Sequence, residues 1–406
     1  MDLSPLRDSR DFRLLYFGQM VSTFGSAISY VVLPWQMYQI THSPTAVGML
    51  GVAEFVPMLL LAFLGGALAD AFDRRRLILF SEAGLGLCCA VLIANSVQPQ
   101  PRAWVLYVAA STFAALSAIH RPAMEAMLPH FTDREKTPAV GVLRMLSGSF
   151  GHITGPALAG LLVVAAGPVV AYSIDLATYA ASMATLALVR SVPVPPEADR
   201  PSWSRIVEAV QYARSRQELI GTYLIDINAM FFGMPIALFP AIAHEKFGDW
   251  SVGLLYAAQS VGVLVLTLFS RWTERVDRHG LAVVLAATAW GVAIIGFGLA
   301  DQLWLALACL AIAGAADGVS GIFRMTIWNQ TIPDHIRGRM AGIEMISYLT
   351  GPYLGNAEAG LVAGRFGVRT SVVSGGVLCV VGCAALAAAL PRFVMYSRAA
   401  SRSANR

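Results

Sequence analysis

The sequence is poor in charged residues. Asp, Glu, Lys and Arg make up 13% of its 406 residues, whereas 56% of the residues are hydrophobic. A soluble domain usually carries about 25% charged residues, so this chain has too few charges to cover a water-facing surface of its size. The composition therefore excludes a soluble globular protein and indicates an integral membrane protein.

Two chemical signatures are also missing. No glycine-rich phosphate loop ending in Gly-Lys-Ser or Gly-Lys-Thr occurs, which argues against ATP as a direct energy source. Only five cysteines are present, and all fall within apolar stretches: Cys88, Cys89, Cys309, Cys379 and Cys383. Such cysteines are usually small core residues. We therefore expect no disulfide framework, no metal site and no bound cofactor.

The sequence does contain many long apolar stretches. About 20 apolar residues are needed for a helix to cross a bilayer core of about 30 Å, and lipid leaves no partner for the backbone of an open strand. The sequence thus predicts an all-α integral membrane protein with twelve transmembrane helices, although eleven or thirteen remain alternatives. The predicted spans are residues 14–38, 46–70, 77–98, 103–124, 138–164, 168–190, 219–243, 251–272, 280–299, 302–324, 340–363 and 369–391.

The basic residues predict the orientation of these spans. Only four of the 29 Lys and Arg residues fall in the loops of one side, namely Arg102, Lys246, Arg365 and Arg369. Basic residues accumulate in cytoplasmic loops, so both termini are predicted to lie in the cytoplasm, with the chain in the cytoplasmic (inner) cell membrane. This bias also accounts for the net charge of +4 without a nucleic-acid partner.

A proline-rich connection divides the spans into two groups of six. The first part of residues 191–218 contains four prolines, Pro193, Pro195, Pro196 and Pro201, which favour an extended linker. Apolar residues then recur at helical spacing from Trp203 to Val210, which predicts a short amphipathic helix on the membrane surface. The predicted domains are an N-terminal six-helix bundle (1–190), the cytoplasmic linker (191–218), and a C-terminal six-helix bundle with a short cytoplasmic tail (219–406).

The two halves share short motifs. An acid, an aspartate and an arginine recur 204 positions later; the pairs are Asp70 and Glu274, Asp73 and Asp277, and Arg74 and Arg278. The Gly155-Pro156 pair recurs 196 positions later as Gly351-Pro352. Internal repeats of membrane helices are typical of transporters, and they predict two bundles related by a pseudo-two-fold axis.

Several of these segments resemble the major facilitator superfamily. The stretch Gly66–Arg76 is similar to that family's loop between its second and third helices, and Gly151–Gly160 is similar to its fifth-helix motif of exporters. Three further stretches, Asp11–Leu15, Arg121–Pro129 and Asp334–Arg339, resemble a branch that contains enterobactin exporters and macrolide or multidrug efflux pumps. The resemblance covers nearly the whole chain and implies a monomeric secondary transporter that works by alternating access.

The chain departs from the family pattern in two places. Ala71 and Asp73 stand where the loop usually has a basic residue and a glycine. The fourth span contains no basic residue before His120, so it lacks the embedded arginine of many proton-coupled members. The family's usual proton route is therefore not carried over to this chain.

The resemblance implies two structural roles. A clasp on the cytoplasmic side would involve Gly66, Asp70, Asp73, Arg74, Arg75, Arg76, Glu274 and Arg278; the alternative is that the basic residues only fix topology. Helix bends that seal the transport cavity would involve Gly151, Gly155, Pro156, Gly160, Gly351, Pro352 and Gly355; the alternative is static helix packing.

Charged residues within the spans are the candidates for proton coupling, because charges at bilayer depth are costly and usually face a cavity or a partner. They are Glu54, Asp226, Asp317, Asp175, Arg144 and His152. Glu54 and Asp226 are the favoured carriers, since a carboxyl group in a dry cavity can take up a proton. Alternatively, Asp226 forms a structural pair with Arg144 or Arg324, and His152 only bonds a neighbouring helix.

The function that these features favour is export of small amphipathic, drug-like or siderophore-like molecules by proton antiport. Aromatic and methionine residues could line an apolar, adaptable cavity, or could simply face lipid or pack in the core; they are Trp35, Met37, Phe231, Phe232, Met234 and Tyr348. The expected partners are a small-molecule substrate and the lipid bilayer. The alternatives are an importer of a small metabolite and, with less support, a polytopic membrane enzyme or a sensor without transport.

Overall fold

The computed structural model describes residues 3–132, 134–190 and 210–397, and within them every regular element is helical. The side chains of residues 62–71 and the predicted amphipathic helix of the linker lie outside this description. The long helices of the first half are α1 (Arg10–Thr41), α2 (Pro44–Ala71), α3 (Arg74–Ser96), α4 (Ala103–Met127), α5 (Thr137–Ala165) and α6 (Gly167–Ala187). Those of the second half are α7 (Gln217–Phe232), α8 (Val252–Leu268), α9 (His279–Leu299), α10 (Leu303–Thr331), α11 (Asp334–Phe366) and α12 (Val368–Ala389).

Short elements connect these helices. After α7 the chain continues through a 3-10 turn (Ile236–Leu238), a helical turn (Phe239–Ile242) and a π-helical turn (Ala243–Phe247). The remaining short elements are Ser4–Asp8, Leu128–Phe131, Arg134–Lys136, Asp249–Ser251, Ser270–Arg275 and Pro391–Val394.

Ten helical segments within the described residues are long and apolar enough to cross a membrane. The predicted first and eleventh spans coincide with α1 and α11, which are not among the ten. Both are long, at 32 and 33 residues, but uncharged polar residues are spread along them, such as Gln19, Ser22 and Ser26 in α1. The membrane-protein fold is therefore confirmed, and the count of twelve spans stays a prediction.

Local signals in the sequence explain where several helices begin and end. Ser9 caps α1 by accepting a hydrogen bond from the Phe12 amide at 3.2 Å, and Asp73 caps α3 by accepting one from the Arg76 amide at 3.0 Å. Short polar side chains at this position satisfy amides that have no partner within the helix. The chain turns between α11 and α12 at Gly367, where φ is +88° and glycine avoids the strain of a side chain.

The described chain forms two compact units. The N-terminal unit comprises Met1–His42, Ala53–Arg200 and Gly248–Ala257, and the C-terminal unit comprises Ser43–Val52, Pro201–Phe247 and Ala258–Arg406. Each unit therefore contains a short segment from the other half of the sequence. The start of α8 belongs with the N-terminal unit, and the start of α2 belongs with the C-terminal unit.

Glycines allow these short segments to pack closely. In the N-terminal unit, a Cβ atom on Gly160 of α5 would lie 2.6 Å from the Gly253 amide nitrogen of α8. In the C-terminal unit, a Cβ atom on Gly48 of α2 would lie 2.9 Å from Cα of Gly360 of α11. Small residues at such crossings let helix backbones approach each other in membranes.

The Gly-Pro motifs occupy equivalent places in the two units. A Cβ atom on Gly155 of α5 would lie 2.7 Å from Cβ of Ala27 of α1, and one on Gly351 of α11 would lie 2.7 Å from Cβ of Met230 of α7. Both α5 and α11 run as helices through their prolines, Pro156 and Pro352. In each half, the fifth helix thus packs tightly on the first.

Candidate functional site

The C-terminal unit holds a charge cluster formed by α7 and α10, in which a buried ion pair lies beside a partly exposed carboxyl group. Asp226 of α7 and Arg324 of α10 form an ion pair, and both side chains are about 95% buried. Nη2 of Arg324 also lies 3.5 Å from Oδ1 of Asp317. Asp317 and Arg324 are seven residues apart, which is about two helical turns, so they share one face of α10. Of the two partners considered for Asp226, the structure places Arg324 beside it.

The balance of charges in this cluster is uneven. Two carboxyl groups face one guanidinium group, while Ser347 of α11 donates a 3.4 Å hydrogen bond to Oδ2 of Asp226. The Arg324 guanidinium lies 5.5 Å from the ring centre of Tyr348, a distance at which a cation is attracted to an aromatic face. With both carboxyl groups ionised, the cluster carries one excess negative charge. One added proton makes it neutral, which suits a group that loads and releases a proton within a membrane.

Glu54 lies in a different environment, next to two tyrosines of the N-terminal unit. It interacts electrostatically with the phenols of Tyr30 on α1 and Tyr256 on α8. The two rings meet edge to face with their centres 5.6 Å apart, and Tyr30 is 52% exposed. This group, which we call the Glu54 cluster, combines a carboxyl group with two phenols. The carboxylate can accept hydrogen bonds from a polyhydroxylated ligand, or attract a cationic one that stacks on the exposed ring of Tyr30; Tyr256 is buried behind that ring.

Asp175 of α6 is completely buried among neutral donors. It accepts hydrogen bonds from Ser29 of α1, from the Cys89 thiol of α3 at 3.4 Å and from Thr178 at 3.3 Å. Within the part of the chain that the structure describes, it has no ion-pair partner. A buried carboxyl group without a cation is a candidate for carrying a proton.

Glu82 of α3 is a further buried acid, which the sequence analysis did not single out. Its Oε1 accepts hydrogen bonds from Gln19 of α1 at 2.6 Å and from Ser182 of α6 at 2.7 Å. Nε2 of His120 on α4 lies 3.6 Å away, and Oε2 of Glu82 has no hydrogen-bond partner among the described residues. The signal that could have found it is an acid inside the third predicted span.

The two basic candidates of α5 lie on exposed surface. Arg144 is 3.8 Å from Glu125 of α4, and the Glu125 carboxyl group is also 3.2 Å from Arg121. His152 is exposed on α5, beside the buried Gly151. Arg144 and His152 therefore do not join the buried acids in this structure.

Of the predicted aromatic and methionine cavity residues, Met37 is fully buried and Tyr348 is 42% exposed. Met37 lies within the packed interior of the N-terminal unit, so it cannot line an open cavity here. Tyr348 contacts Arg324 as described above.

The arginines of the predicted clasp have specific partners in the N-terminal unit. Arg74 is buried with Nη1 3.4 Å from Nε2 of His130, and Arg75 donates hydrogen bonds to the carbonyl oxygens of Leu186, at 3.0 Å, and Ala187. Those carbonyls end α6, where the helix dipole favours a cation. Arg75 thus ties the start of α3 to the end of α6.

Of the other clasp candidates, Gly66 and the side chain of Asp70 lie outside the described part, and Arg76 is exposed. Glu274 lies within the 3-10 segment Ser270–Arg275, and Arg278 follows that segment; both residues are exposed.

The helical fold, the apolar spans and the buried acids define a membrane transporter. The model of a family described as transmembrane secretion effector matches residues 1–405. The chain belongs to this family, which lies within the major facilitator superfamily.

Known relatives agree with this assignment. The chain is 26% identical to the enterobactin exporter EntS of Salmonella typhi over 385 residues, which cover 94% of this chain and 93% of the relative. It is 26% identical to EntS of Citrobacter koseri, with 94% and 92% coverage.

Two transporter structures share the fold. A bacterial homologue of the human lysosomal transporter Spinster has a TM-score of 0.75 at 14% identity, covering 95% of this chain and 98% of that structure. The nucleoside transporter NupG has a TM-score of 0.76 at 11% identity, covering 93% and 98%.

Proposed function

We propose that this protein is a secondary active exporter that moves small amphipathic molecules out of the cell in exchange for protons. In this proposal it acts as a monomer in the inner membrane, with both termini in the cytoplasm, and it catalyses no chemical reaction. Alternating access of the two bundles provides the transport cycle, and the proton gradient provides the energy.

The observation that carries the proposal is the cluster of Asp226, Asp317 and Arg324. Its two carboxyl groups and single guanidinium are neutral as a set only when one proton is bound. Because excess charge is costly at bilayer depth, the protonated and deprotonated forms favour different surroundings. This gives a physical reason for the protein to change conformation with the proton.

Export and the substrate class are supported by two further observations. The relatives that span this chain are named as enterobactin exporters, and the Gly151–Gly160 stretch resembles a motif of exporters. The Glu54 cluster presents a carboxyl group and the exposed ring of Tyr30, which suit a siderophore-like or drug-like molecule that carries both polar groups and flat apolar surface.

The proposal is tested with inside-out membrane vesicles that contain the protein. Enterobactin and the cationic dye ethidium serve as probes, and a pH gradient is imposed with the vesicle interior acidic. Proton antiport predicts that the probe accumulates in the vesicles and that a protonophore abolishes this accumulation. Accumulation that persists after the gradient collapses would exclude proton antiport, and loss of probe from preloaded vesicles under the gradient would indicate import.

Two variants sharpen this test. Asp317→Asn leaves the Asp226–Arg324 pair in place but removes one carboxyl group, so we expect gradient-driven accumulation to be lost while probe–probe counterflow continues. Asp301→Asn is the matched control, because Asp301 is an exposed acid whose partner Lys246 lies 3.4 Å away, a surface pair of small energy. The control should transport at the wild-type rate.

A further inference from the structure

The C-terminal unit contains a second group that combines a carboxyl group with two phenols. Tyr223 of α7 interacts electrostatically with Glu344 and with Tyr348, both of α11. Glu344 and Tyr348 are four positions apart, so their side chains are neighbours on one face of the helix. We call these three residues the Glu344 cluster. Glu344 is an acid that the sequence analysis did not single out.

The Glu344 cluster is accessible on one side and buried on the other. Tyr348 is 42% exposed and Glu344 is partly exposed, whereas Tyr223 is only 8% exposed. The buried Trp328 of α10 contacts both tyrosines, and its ring centre lies 5.8 Å from that of Tyr223 and 5.6 Å from that of Tyr348. A ligand that arrives from the surface therefore meets Glu344 and Tyr348 first, and Tyr223 lies deeper.

Two members of the cluster have unused capacity to bind a polar group. The buried hydroxyl of Tyr223 has no hydrogen-bond partner among the described residues, and such a group costs free energy until it is paired. Within the same part of the chain, the Glu344 carboxyl group has no ion-pair partner within 4 Å. Arg337, seven positions earlier on α11, acts on it electrostatically from a longer distance. A bound donor with a positive charge would satisfy both groups.

Three oxygen acceptors around one negative charge fit a protonated primary amine. An ammonium group carries one positive charge and three N–H donors, which equals the number of acceptor groups in Glu344, Tyr223 and Tyr348. The exposed ring of Tyr348 adds an apolar surface, and a cation near such a ring is attracted to its face. A quaternary ammonium group has the charge but no N–H donor.

We propose that the Glu344 cluster binds the ammonium group of an amphipathic primary amine, whose apolar part lies against Tyr348. Glu344 and Tyr348 hold the group where it enters, and its small tip reaches the Tyr223 hydroxyl behind them. This inference rests on the export function proposed above and names a class of substrate for it. The site is formed by the C-terminal unit alone and is separate from the Glu54 cluster of the N-terminal unit.

Tyr348 also connects this site with the proposed proton-coupling cluster. Its phenol interacts electrostatically with four charged groups, namely Arg324, Asp226, Glu344 and Asp317. An ammonium group beside Tyr348 is attracted by the excess negative charge of Asp226, Asp317 and Arg324, and this attraction falls when the set binds a proton. The amine and the proton therefore oppose each other's binding, a reciprocal effect that suits exchange of one for the other.

The test is isothermal titration calorimetry of the full chain in nanodiscs, in mildly alkaline buffer and without a pH gradient. The probes are naphthylmethylamine and its N-trimethylated analogue, which share the ring and the charge but differ in N–H donors. All titrations use the Glu54→Gln background, so that the carboxylate of the Glu54 cluster does not contribute. We expect the primary amine to bind at least roughly tenfold more tightly than the quaternary analogue.

Three variants locate the site and one serves as its control. Glu344→Gln should weaken binding of the primary amine at least roughly tenfold. Tyr348→Phe keeps the ring but removes the hydroxyl, so the preference for the primary amine should fall while the affinity of the quaternary analogue stays the same. Asp317→Asn removes one negative charge that does not touch the ligand and should weaken the primary amine roughly threefold. Glu358→Gln is the matched control, because Glu358 is a partly exposed acid of the same helix without a phenol in electrostatic contact.

The inference is overturned if the two probes bind equally tightly, or if Glu344→Gln and Glu358→Gln bind the primary amine alike. Should Glu344→Gln fail to fold, an unchanged preference for the primary amine in Tyr348→Phe would overturn it as well. An unchanged affinity in Asp317→Asn would refute the connection with the proton-coupling cluster. Because no gradient is imposed, amine binding at Glu344 is measured whether or not the vesicle experiments show proton antiport, so the two proposals can fail separately.

Discussion

Arg324 of α10 is ion-paired with Asp226 of α7 inside the C-terminal unit, and neither side chain is more than about 5% exposed. The pair joins two helices that are distant in the sequence, since the two residues lie 98 positions apart. A buried ion pair adds little net stability over an apolar pair, but removing one partner leaves the other charge buried and uncompensated. Each charge is therefore tolerated in the protein interior only while the other is present.

Asp226→Ala is therefore expected to destabilise the protein strongly. Arg324 would keep only Asp317, which lies 3.5 Å away and is 39% exposed. The loss should be on the order of 3–5 kcal/mol, visible as a large drop in the unfolding temperature of detergent-purified protein. The double variant Asp226→Ala with Arg324→Ala removes both charges and should recover much of that loss. Additive losses in the double variant would show that the two residues are not energetically coupled.

The glycines of α5 provide a second prediction, because the same helix contains crowded and open positions. A Cβ atom on Gly155 would lie 2.7 Å from Cβ of Ala27 and 3.0 Å from the Phe24 carbonyl oxygen, whereas one on Gly148 would meet nothing within 4 Å. Gly155→Ala should therefore cost about 1–3 kcal/mol through overpacking against α1. Gly148→Ala should be neutral or slightly stabilising, since alanine favours helix over glycine by about 1 kcal/mol.

Unfolding temperature and transport rate together check this prediction. If Gly155→Ala keeps the wild-type unfolding temperature but transports slowly, then α5 must slide on α1 during the transport cycle. Equal effects of the two substitutions would contradict the packing described here, because only one position is crowded.

The sequence predicted the helical fold, the two-fold repetition of motifs and the family, because apolar length and glycine spacing are local properties. It could not choose between Arg144 and Arg324 as the partner of Asp226, since that choice depends on how each helix is rotated within its bundle. The same limit explains why Tyr256 was not associated with Glu54 and why the partners of Glu82 were not identified, although Glu82 itself could have been singled out as an acid inside a predicted span. These contacts join residues between 38 and 202 positions apart, which the spacing of one sequence does not specify.

Arg75 provides a third prediction, about the connection between α3 and α6. Its guanidinium donates to the carbonyl oxygens of Leu186 and Ala187 in the last turn of α6; the Leu186 oxygen also accepts a 3.1 Å hydrogen bond from the Val189 amide. Arg75→Ala should cost roughly 1–2 kcal/mol by removing these charge-assisted bonds. Arg76→Ala is the matched control, since Arg76 is the next residue and its side chain is exposed.

Thermal unfolding of both variants in detergent measures the difference. If Arg76→Ala destabilises the protein as much as Arg75→Ala, then the positive charge of this loop matters and the two specific bonds do not. A topology assay with terminal tags should give the same result for both single variants, because the other basic residues of the predicted cytoplasmic side remain.

The Glu54 cluster provides the last prediction, which concerns substrate binding. Glu54→Gln keeps the size of the side chain but cannot carry a negative charge beside Tyr30 and Tyr256. In alkaline buffer, where the wild-type carboxyl group is ionised, binding of the cationic dye ethidium should therefore weaken roughly tenfold, a loss of about 1.4 kcal/mol. Glu125→Gln is the control, because Glu125 is an exposed acid that contacts Arg121 and Arg144. Dye fluorescence on titration with purified protein gives both affinities. An unchanged affinity in Glu54→Gln would exclude a direct role of this carboxyl group in binding cations, whereas a loss confined to Tyr30→Phe and Tyr256→Phe would assign recognition to the phenol hydroxyls instead.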